Sequence, residues 1–138
     1  MKPKKETPNK LNTIISVLVL SALIGMIIYS LFEREQLANN NCLTTGIVTQ
    51  CKFLPRSGGR IGVRYHYTVN SKVFNGSSTR IGLNQNDCDS LIIGKNFPVL
   101  YNPDNNCLSA LLLTPGDFKT YTYKFPDSLK WILKYIKE

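Results

Sequence analysis

IGVRYHYTV, residues 61–69, is the most regular β-pattern in this chain of 138 residues. Apolar or aromatic residues alternate with small, polar or charged ones, and this period of two predicts a β-strand with one buried face. Asn70 and Ser71 follow as turn residues, and β-forming residues resume over Lys72–Ile81. The segment therefore predicts a β-hairpin closed by a tight turn.

Further strands are predicted on both sides of this hairpin. Upstream, Leu43–Phe53 is rich in β-branched residues and precedes a glycine-containing loop. Downstream, residues 97–101 alternate before an asparagine-rich turn, Leu108–Leu113 follows that turn, and Phe118–Phe125 is a sixth candidate strand. This spacing predicts an antiparallel meander that curls into a small β-barrel or sandwich over residues 42–125. The expected fold class is mainly β.

An uncharged run of 22 residues, Leu11–Phe32, precedes the β-rich region. As a helix it would measure about 33 Å, which matches a hydrocarbon core of about 30 Å. The run is longer than the apolar region of a signal peptide, and no A-x-A-like cleavage site follows it. We therefore predict one retained transmembrane helix at 11–32, followed by a polar tether at 33–41.

The charges that flank this run predict its orientation. Residues 1–10 contain four lysines, whereas Arg34 is the only basic residue from position 33 to position 51. Basic residues are enriched on the cytosolic side of membrane helices. We expect residues 1–10 to be cytosolic, the helix to lie in the inner (plasma) membrane, and the following domain to be periplasmic or otherwise extracytoplasmic.

All four cysteines follow the predicted membrane helix, as expected where disulfides form. Cys42 and Cys51 lie at opposite ends of the first strand, about 30 Å apart. Bridged Cα atoms are only about 5.5 Å apart, so these two residues do not pair. In a meander the ends of the first and third strands share one edge, which favours the pairs Cys51–Cys88 and Cys42–Cys107.

The tail, residues 126–138, changes from a strand pattern to a helical one. After Pro126 the apolar residues recur at helical spacing and the lysines lie opposite them, which predicts a basic amphipathic helix. Two roles are open: the helix covers one end of the barrel, or it lies on a membrane surface or in a partner's groove. Its apolar and aromatic residues are Leu129, Trp131, Ile132, Leu133, Tyr135 and Ile136.

Residues 33–138 contain thirteen basic and eight acidic side chains. Arg56, Arg60 and Arg64 form a candidate basic rim for an anionic ligand, although a scattered solvated face gives the same pattern. The arginines lie among β-forming residues rather than in a run, so the sequence does not predict nucleic-acid binding.

No residue pattern in the chain predicts catalysis. His66 is the only histidine and shares a strand face with Arg64, so we interpret it as a surface residue. A zinc site needs three or four ligands, and the cysteines lack C-x-x-C spacing. Asp87 and Asp89 lie in a predicted turn that supplies too few oxygens for calcium. The sequence therefore predicts no metal, no cofactor and no enzymatic activity.

The hairpin VRYHYTVNSKVFNG at 63–76 resembles a widespread family of uncharacterised bacterial membrane proteins with the pattern V-x-Y-x-Y-x-V-x-G-K-x-Y-x-G. Thr45–Val48 is similar to the first strand of that family, and Gly94–Ser109 is similar to its "Y-x-P" segment. The resemblance covers about seventy residues and implies a small β-domain attached to membrane helices, with no activity. The cysteines are absent from the family pattern, and the basic tail replaces the second membrane helix that many members have.

These observations favour a non-enzymatic accessory or interaction subunit of a bacterial inner-membrane or envelope complex, with one or more protein partners. Two alternatives remain open. The first is an immunity-type protein that neutralises a toxin in the envelope. The second is a binding module for an anionic lipid or a cell-wall ligand.

Overall fold

The computed structural model describes residues 10–80 and 82–136, and the chain divides into two compact units, Met1–Glu35 and Gln36–Glu138. Helix α1, Lys10–Asn39, is long and apolar enough to cross a membrane, and no other helix in the described residues is. The predicted apolar helix is therefore present. Most of the N-terminal lysine cluster lies outside the described residues.

Helix α1 ends at Asn39 rather than near Phe32. Residues 33–38, EREQLA, are mostly strong helix formers, so the helix continues through them. Leu37 is buried in the core of the second unit. The side-chain amide of Asn41 donates hydrogen bonds to the Leu37 and Ala38 carbonyls. The segment predicted as a polar tether is thus helical over most of its length.

Five antiparallel strands form one curled sheet, a half-barrel, in the order β3-β2-β1-β4-β5. Helices make up much of the rest, so the chain is a mixture of helix and strand rather than mainly β. The strands are β1 Cys42–Leu54, β2 Arg60–Val69, β3 Lys72–Arg80, β4 Asn96–Tyr101 and β5 Ser109–Leu111.

Strand β4 pairs with β1, and not with β3 as a simple meander requires. Between β3 and β4, the short helix α2, Gln85–Asp87, continues into a π-helical turn, Cys88–Ile92. This connection ends beside β1, where the Gly94 amide donates to the Val48 carbonyl and the Val48 amide donates to the Lys95 carbonyl. It therefore carries the chain across the sheet to the free side of β1.

The predicted hairpin between β2 and β3 is confirmed. Val69 lies opposite Lys72, and the two turn residues, Asn70 and Ser71, have φ angles of 49° and 64°. Two successive positive φ angles are typical of the type I′ turn, whose twist matches that of the strands it joins. The predicted last residue of β3, Ile81, lies outside the described residues.

A β-bulge in β1 decides which side chains of its second half face the core. The register against β2 shifts between Val48 and Gln50, so Thr49 is an extra residue. Because successive side chains alternate, one extra residue exchanges the two faces for the rest of the strand. Cys51 therefore faces the core, and Lys52 faces solvent.

A short helix replaces the predicted sixth strand. Helix α3, Pro115–Thr120, begins with a capping box: the Thr114 hydroxyl accepts from the Asp117 amide, and the Asp117 carboxylate accepts from the Thr114 amide. Proline at the first helical position supports the same start. Phe118 is buried, and the aromatic alternation at 118–125 comes from packing rather than from a strand.

The C-terminal helix is present but is a 3₁₀ helix, Asp127–Lys134. A 3₁₀ helix repeats every three residues, so Leu129 and Ile132 share one face, and both are buried. Leu133, which an α-helix would place on that face, is 42% exposed. The last two residues of the chain lie outside the described residues.

Candidate interaction surface

The five strands contain five basic residues and no acidic residue. The acidic side chains of the described residues lie in helices and in the turns between the elements. The sheet therefore presents positive charge that its own strands do not neutralise. These acidic residues are Glu33, Glu35, Asp87, Asp89, Asp104, Asp117 and Asp127.

Three of the basic residues lie together on the outer face of β1 and β2. Arg60 and Arg64 are exposed residues of β2, and Lys52 of β1 lies opposite Gly62, midway between them. Diagonal neighbours across a strand pair lie about 7–8 Å apart, so each arginine is within reach of the lysine. We call Lys52, Arg60 and Arg64 the basic cluster.

Two residues of the predicted basic rim, Arg60 and Arg64, belong to the basic cluster. Arg56 is exposed in the 3₁₀ turn Pro55–Ser57, between the two strands that carry the basic cluster. The sequence pattern does not single out Lys52, because an unbroken alternation from Val48 would turn its side chain inward. The bulge is the feature that places it outside.

No member of the basic cluster is ion-paired within residues 10–80 and 82–136. The acidic residues that follow β3 are hydrogen-bonded to side chains outside the basic cluster. The side-chain amide of Asn84 donates to the Asp87 carboxylate, and that of Gln85 donates to the Asp89 carboxylate at 2.8 Å. Like charges on neighbouring strands repel, so an anion bound between them would relieve this repulsion.

An open groove lies beside Arg64 on the outer face of β1–β3. The groove is lined by Thr49, Gln50, Arg64, Tyr65, Asn75, Gly76 and Ser77. Gln50 and Ser77 lie directly opposite Arg64 on the two neighbouring strands, so an amide and a hydroxyl flank the guanidinium. Together these groups supply hydrogen-bond donors that suit a carboxylate or a phosphate.

Three exposed apolar side chains lie on the other half of this outer face, with the exposed threonines Thr45 and Thr68 among them. Leu43 is 52% exposed, Ile47 37% and Val73 64%, and we call these three residues the apolar strip. His66 is half-buried opposite Ile47, between the strip and the basic cluster. Leu100 lies opposite Leu43 on β4 and is fully buried, whereas Leu43 is exposed. The outer face of β4 is therefore covered at this position and that of β1 is not.

One of the two predicted disulfides is present. Cys51 and Cys88 are bridged, with Cα atoms 6.1 Å apart. Cys42 and Cys107 are both free and exposed, so the second predicted pair is not formed. Cys42 lies opposite Tyr101 of β4, and Cys107 belongs to the turn beyond that strand. Two interstrand spacings amount to about 10 Å, against about 5.5 Å in a disulfide.

The predicted residues of the tail are divided between core and surface. Leu129 and Ile132 belong to the core, Trp131 and Ile136 are half-buried, and Leu133 and Tyr135 are exposed. The Trp131 ring lies 6.5 Å from Phe97 and carries the Lys95 ammonium over its face at 5.2 Å. The apolar side of the helix is therefore largely used inside the domain.

The described residues include no group of three or more His, Cys, Asp or Glu side chains placed to hold a metal ion. Burial raises the pKa of the Tyr67 hydroxyl in the second unit above its ordinary value. That hydroxyl donates to the Asn106 carbonyl and so has a structural role. Comparison with protein-family models, with curated proteins and with solved structures finds no match for this chain.

Proposed function

We propose that this chain is a membrane-anchored, non-enzymatic interaction protein, an accessory subunit of a bacterial inner-membrane or envelope complex. The observation that carries the proposal is the basic cluster, three exposed cations that form no ion pair with any described residue, on a sheet without acidic residues. Complementary charge steers a partner to such a surface and fixes its register.

Helix α1 and the disulfide support the proposed location. The helix has the length and the composition of a membrane span, and the lysines before it favour a cytosolic N-terminus. The Cys51–Cys88 bridge fits an oxidising compartment on the far side of the membrane. In this proposal α1 holds residues 36–138 at the outer surface of the inner membrane.

Thiol labelling tests the orientation, because Cys42 and Cys107 are exposed and free. A membrane-impermeant maleimide should label both in intact spheroplasts without prior reduction. The variant Cys42→Ala/Cys107→Ala should take up no label until the protein is unfolded and reduced. Labelling of the wild type only after lysis would place the domain in the cytosol and contradict the orientation.

A second candidate function rests on the same cluster. Guanidinium and ammonium groups beside Gln50 and Ser77 also suit phosphate, as in a lipid headgroup or an anionic cell-wall polymer. In that case the domain is a binding module for an anionic ligand and needs no protein partner.

Co-purification of the full chain in mild detergent separates these functions. The cluster variant, Lys52→Glu/Arg60→Glu/Arg64→Glu, reverses the charge of the basic cluster. The control variant, Lys119→Glu/Lys124→Glu/Lys134→Glu, makes the same change of charge at exposed lysines outside the sheet. We expect a stoichiometric membrane protein to accompany the wild type and the control variant, and to be lost from the cluster variant.

Other outcomes have distinct meanings. A secreted toxin in place of a membrane protein supports the immunity alternative. A solitary wild-type chain that binds anionic vesicles through the cluster supports the ligand module. A partner held equally by both variants contradicts the proposal that the basic cluster binds it.

A further inference from the structure

We propose that the outer face of β1–β3 binds an extended protein segment with acidic residues at one end and apolar residues at the other. This inference rests on the proposed function and specifies the chemistry of the partner. It follows from the apolar strip and the basic cluster, which share one exposed face and leave it divided into two halves.

The two halves are close enough to be covered by one short segment. Lys52 of the basic cluster lies five positions after Ile47 of the apolar strip along β1. At about 3.3 Å per residue these positions span about 16 Å, which an extended segment of about six residues covers. The groove beside Arg64, with Gln50 and Ser77 on either side, lies between these two ends.

The apolar strip decides between the classes of ligand. A phosphate polymer neutralises the basic cluster but offers no apolar group to Ile47 and Val73, and a lipid offers its acyl chains only where they leave the bilayer. These side chains are 37% and 64% exposed, and covering them removes apolar surface from water. A protein segment meets both requirements at once.

Charge argues against a second copy of this chain as the occupant. The same face of another copy has the same basic residues and no acidic residue on its strands. Two such faces in contact would bring like charges together, which costs free energy at an interface. A dimer of two such faces is therefore disfavoured, and the occupant that we propose is an acidic segment of a different protein.

Three designed peptides make the proposal testable with the full chain in a neutral detergent. The probe is fluorescent Glu-Glu-Glu-Ser-Val-Ile-Val, measured by anisotropy at low salt together with the peptide of reversed sequence. The comparison peptide, called the serine peptide, has serine in place of the three apolar residues. We expect binding of the probe in at least one direction, and clearly weaker binding of the serine peptide.

Variants of the protein test each half of the face separately. The cluster variant should bind the probe at least about tenfold more weakly, since it replaces three attractions by three repulsions. Ile47→Ser/Val73→Ser should bring the affinity for the probe down to that for the serine peptide. The control variant at Lys119, Lys124 and Lys134 should bind as the wild type does.

Equal affinity for the probe and the serine peptide would overturn the proposal, because the apolar strip would then contribute nothing. Cluster-dependent binding of phosphatidylglycerol vesicles without binding of either probe would assign the face to lipid instead. If the probes fail while a membrane protein still co-purifies through the basic cluster, only this inference is lost. If the probe binds but no partner accompanies the wild type, the proposed function fails by itself.

Discussion

The hydroxyl of Tyr65 lies 3.1 Å from the hydroxyl of Ser109, although their strands, β2 and β5, are not neighbours in the sheet. Nearby, the Tyr67 hydroxyl donates to the carbonyl of Asn106 in the turn before β5. The two tyrosines cross the inside of the half-barrel from β2 to β5 and to the turn before β5. Side-chain hydrogen bonds thus link β2 to the β5 side of the half-barrel, although these two strands share no backbone hydrogen bonds in the sheet.

Gly76→Ala should destabilise the domain, because a Cβ atom at this position would lie 2.3 Å from the Tyr65 ring. Overpacking of a core costs about 1–3 kcal/mol, and each kcal/mol lowers the melting temperature of a domain this size by about 4–8 °C. The measurement is thermal unfolding in detergent, followed by the fluorescence of the single tryptophan. Gly116→Ala is the control, since its nearest contact is an ordinary 3.6 Å. Equal melting temperatures would contradict this packing.

The variant Cys51→Ala/Cys88→Ala should have a free energy of unfolding about 4 kcal/mol lower than the wild type. This is the loop-closure value for a bridge of this length in the chain-entropy model. The two cysteines are 37 residues apart. Urea unfolding measures the loss, and Cys42→Ala/Cys107→Ala should unfold as the wild type does because those thiols are free and exposed. Peptide mapping without reductant checks the pairing directly, and a Cys42–Cys107 link in the native protein would count against the structure.

Leu129→Ala and Leu133→Ala are a matched pair in the C-terminal helix. Leu129 is 7% exposed and Leu133 is 42% exposed, so the same chemical change is made in the core and at the surface. Leu129→Ala should lower the free energy of unfolding by about 2–5 kcal/mol, and Leu133→Ala by about 0.5 kcal/mol or less. Thermal unfolding of the full chain compares them. If the two variants melt together, the tail does not pack through Leu129.

Tyr67 should make the domain less stable at high pH. Burial raises the pKa of its hydroxyl in the folded chain, so the folded state retains a proton that the unfolded state loses above about pH 10. The stabilisation is complete below that pH and declines as the pH rises toward the folded pKa. Urea midpoints from pH 8 to pH 11 should fall less steeply for Tyr67→Phe than for the wild type.

A control accompanies the titration. Tyr135 is exposed, and Tyr135→Phe should keep the full decline of the wild type. If Tyr67→Phe and the wild type lose stability in parallel across the same range, ionisation of Tyr67 does not contribute to the decline.

Local patterns in the sequence were enough for several elements. The alternation at 61–69 and the turn residues Asn70 and Ser71 specify a hairpin because strand period and turn geometry depend on adjacent residues. The length of the run Leu11–Phe32 specifies a membrane-length helix for the same reason. The signal for α3 is also local, since Thr114 and Asp117 have capping-box spacing, but the aromatic alternation after it favoured a strand.

Only the tertiary structure decided where these elements lie relative to one another. The crossing through α2 places β4 beside β1, which separates Cys42 from Cys107 by a strand. The bulge at Thr49 turns Lys52 outward and so completes the basic cluster. Strand order and register depend on contacts between residues far apart in the chain, and no local pattern records them. The sequence by itself therefore determined the hairpin and the apolar helix, whereas long-range pairing determined the surface.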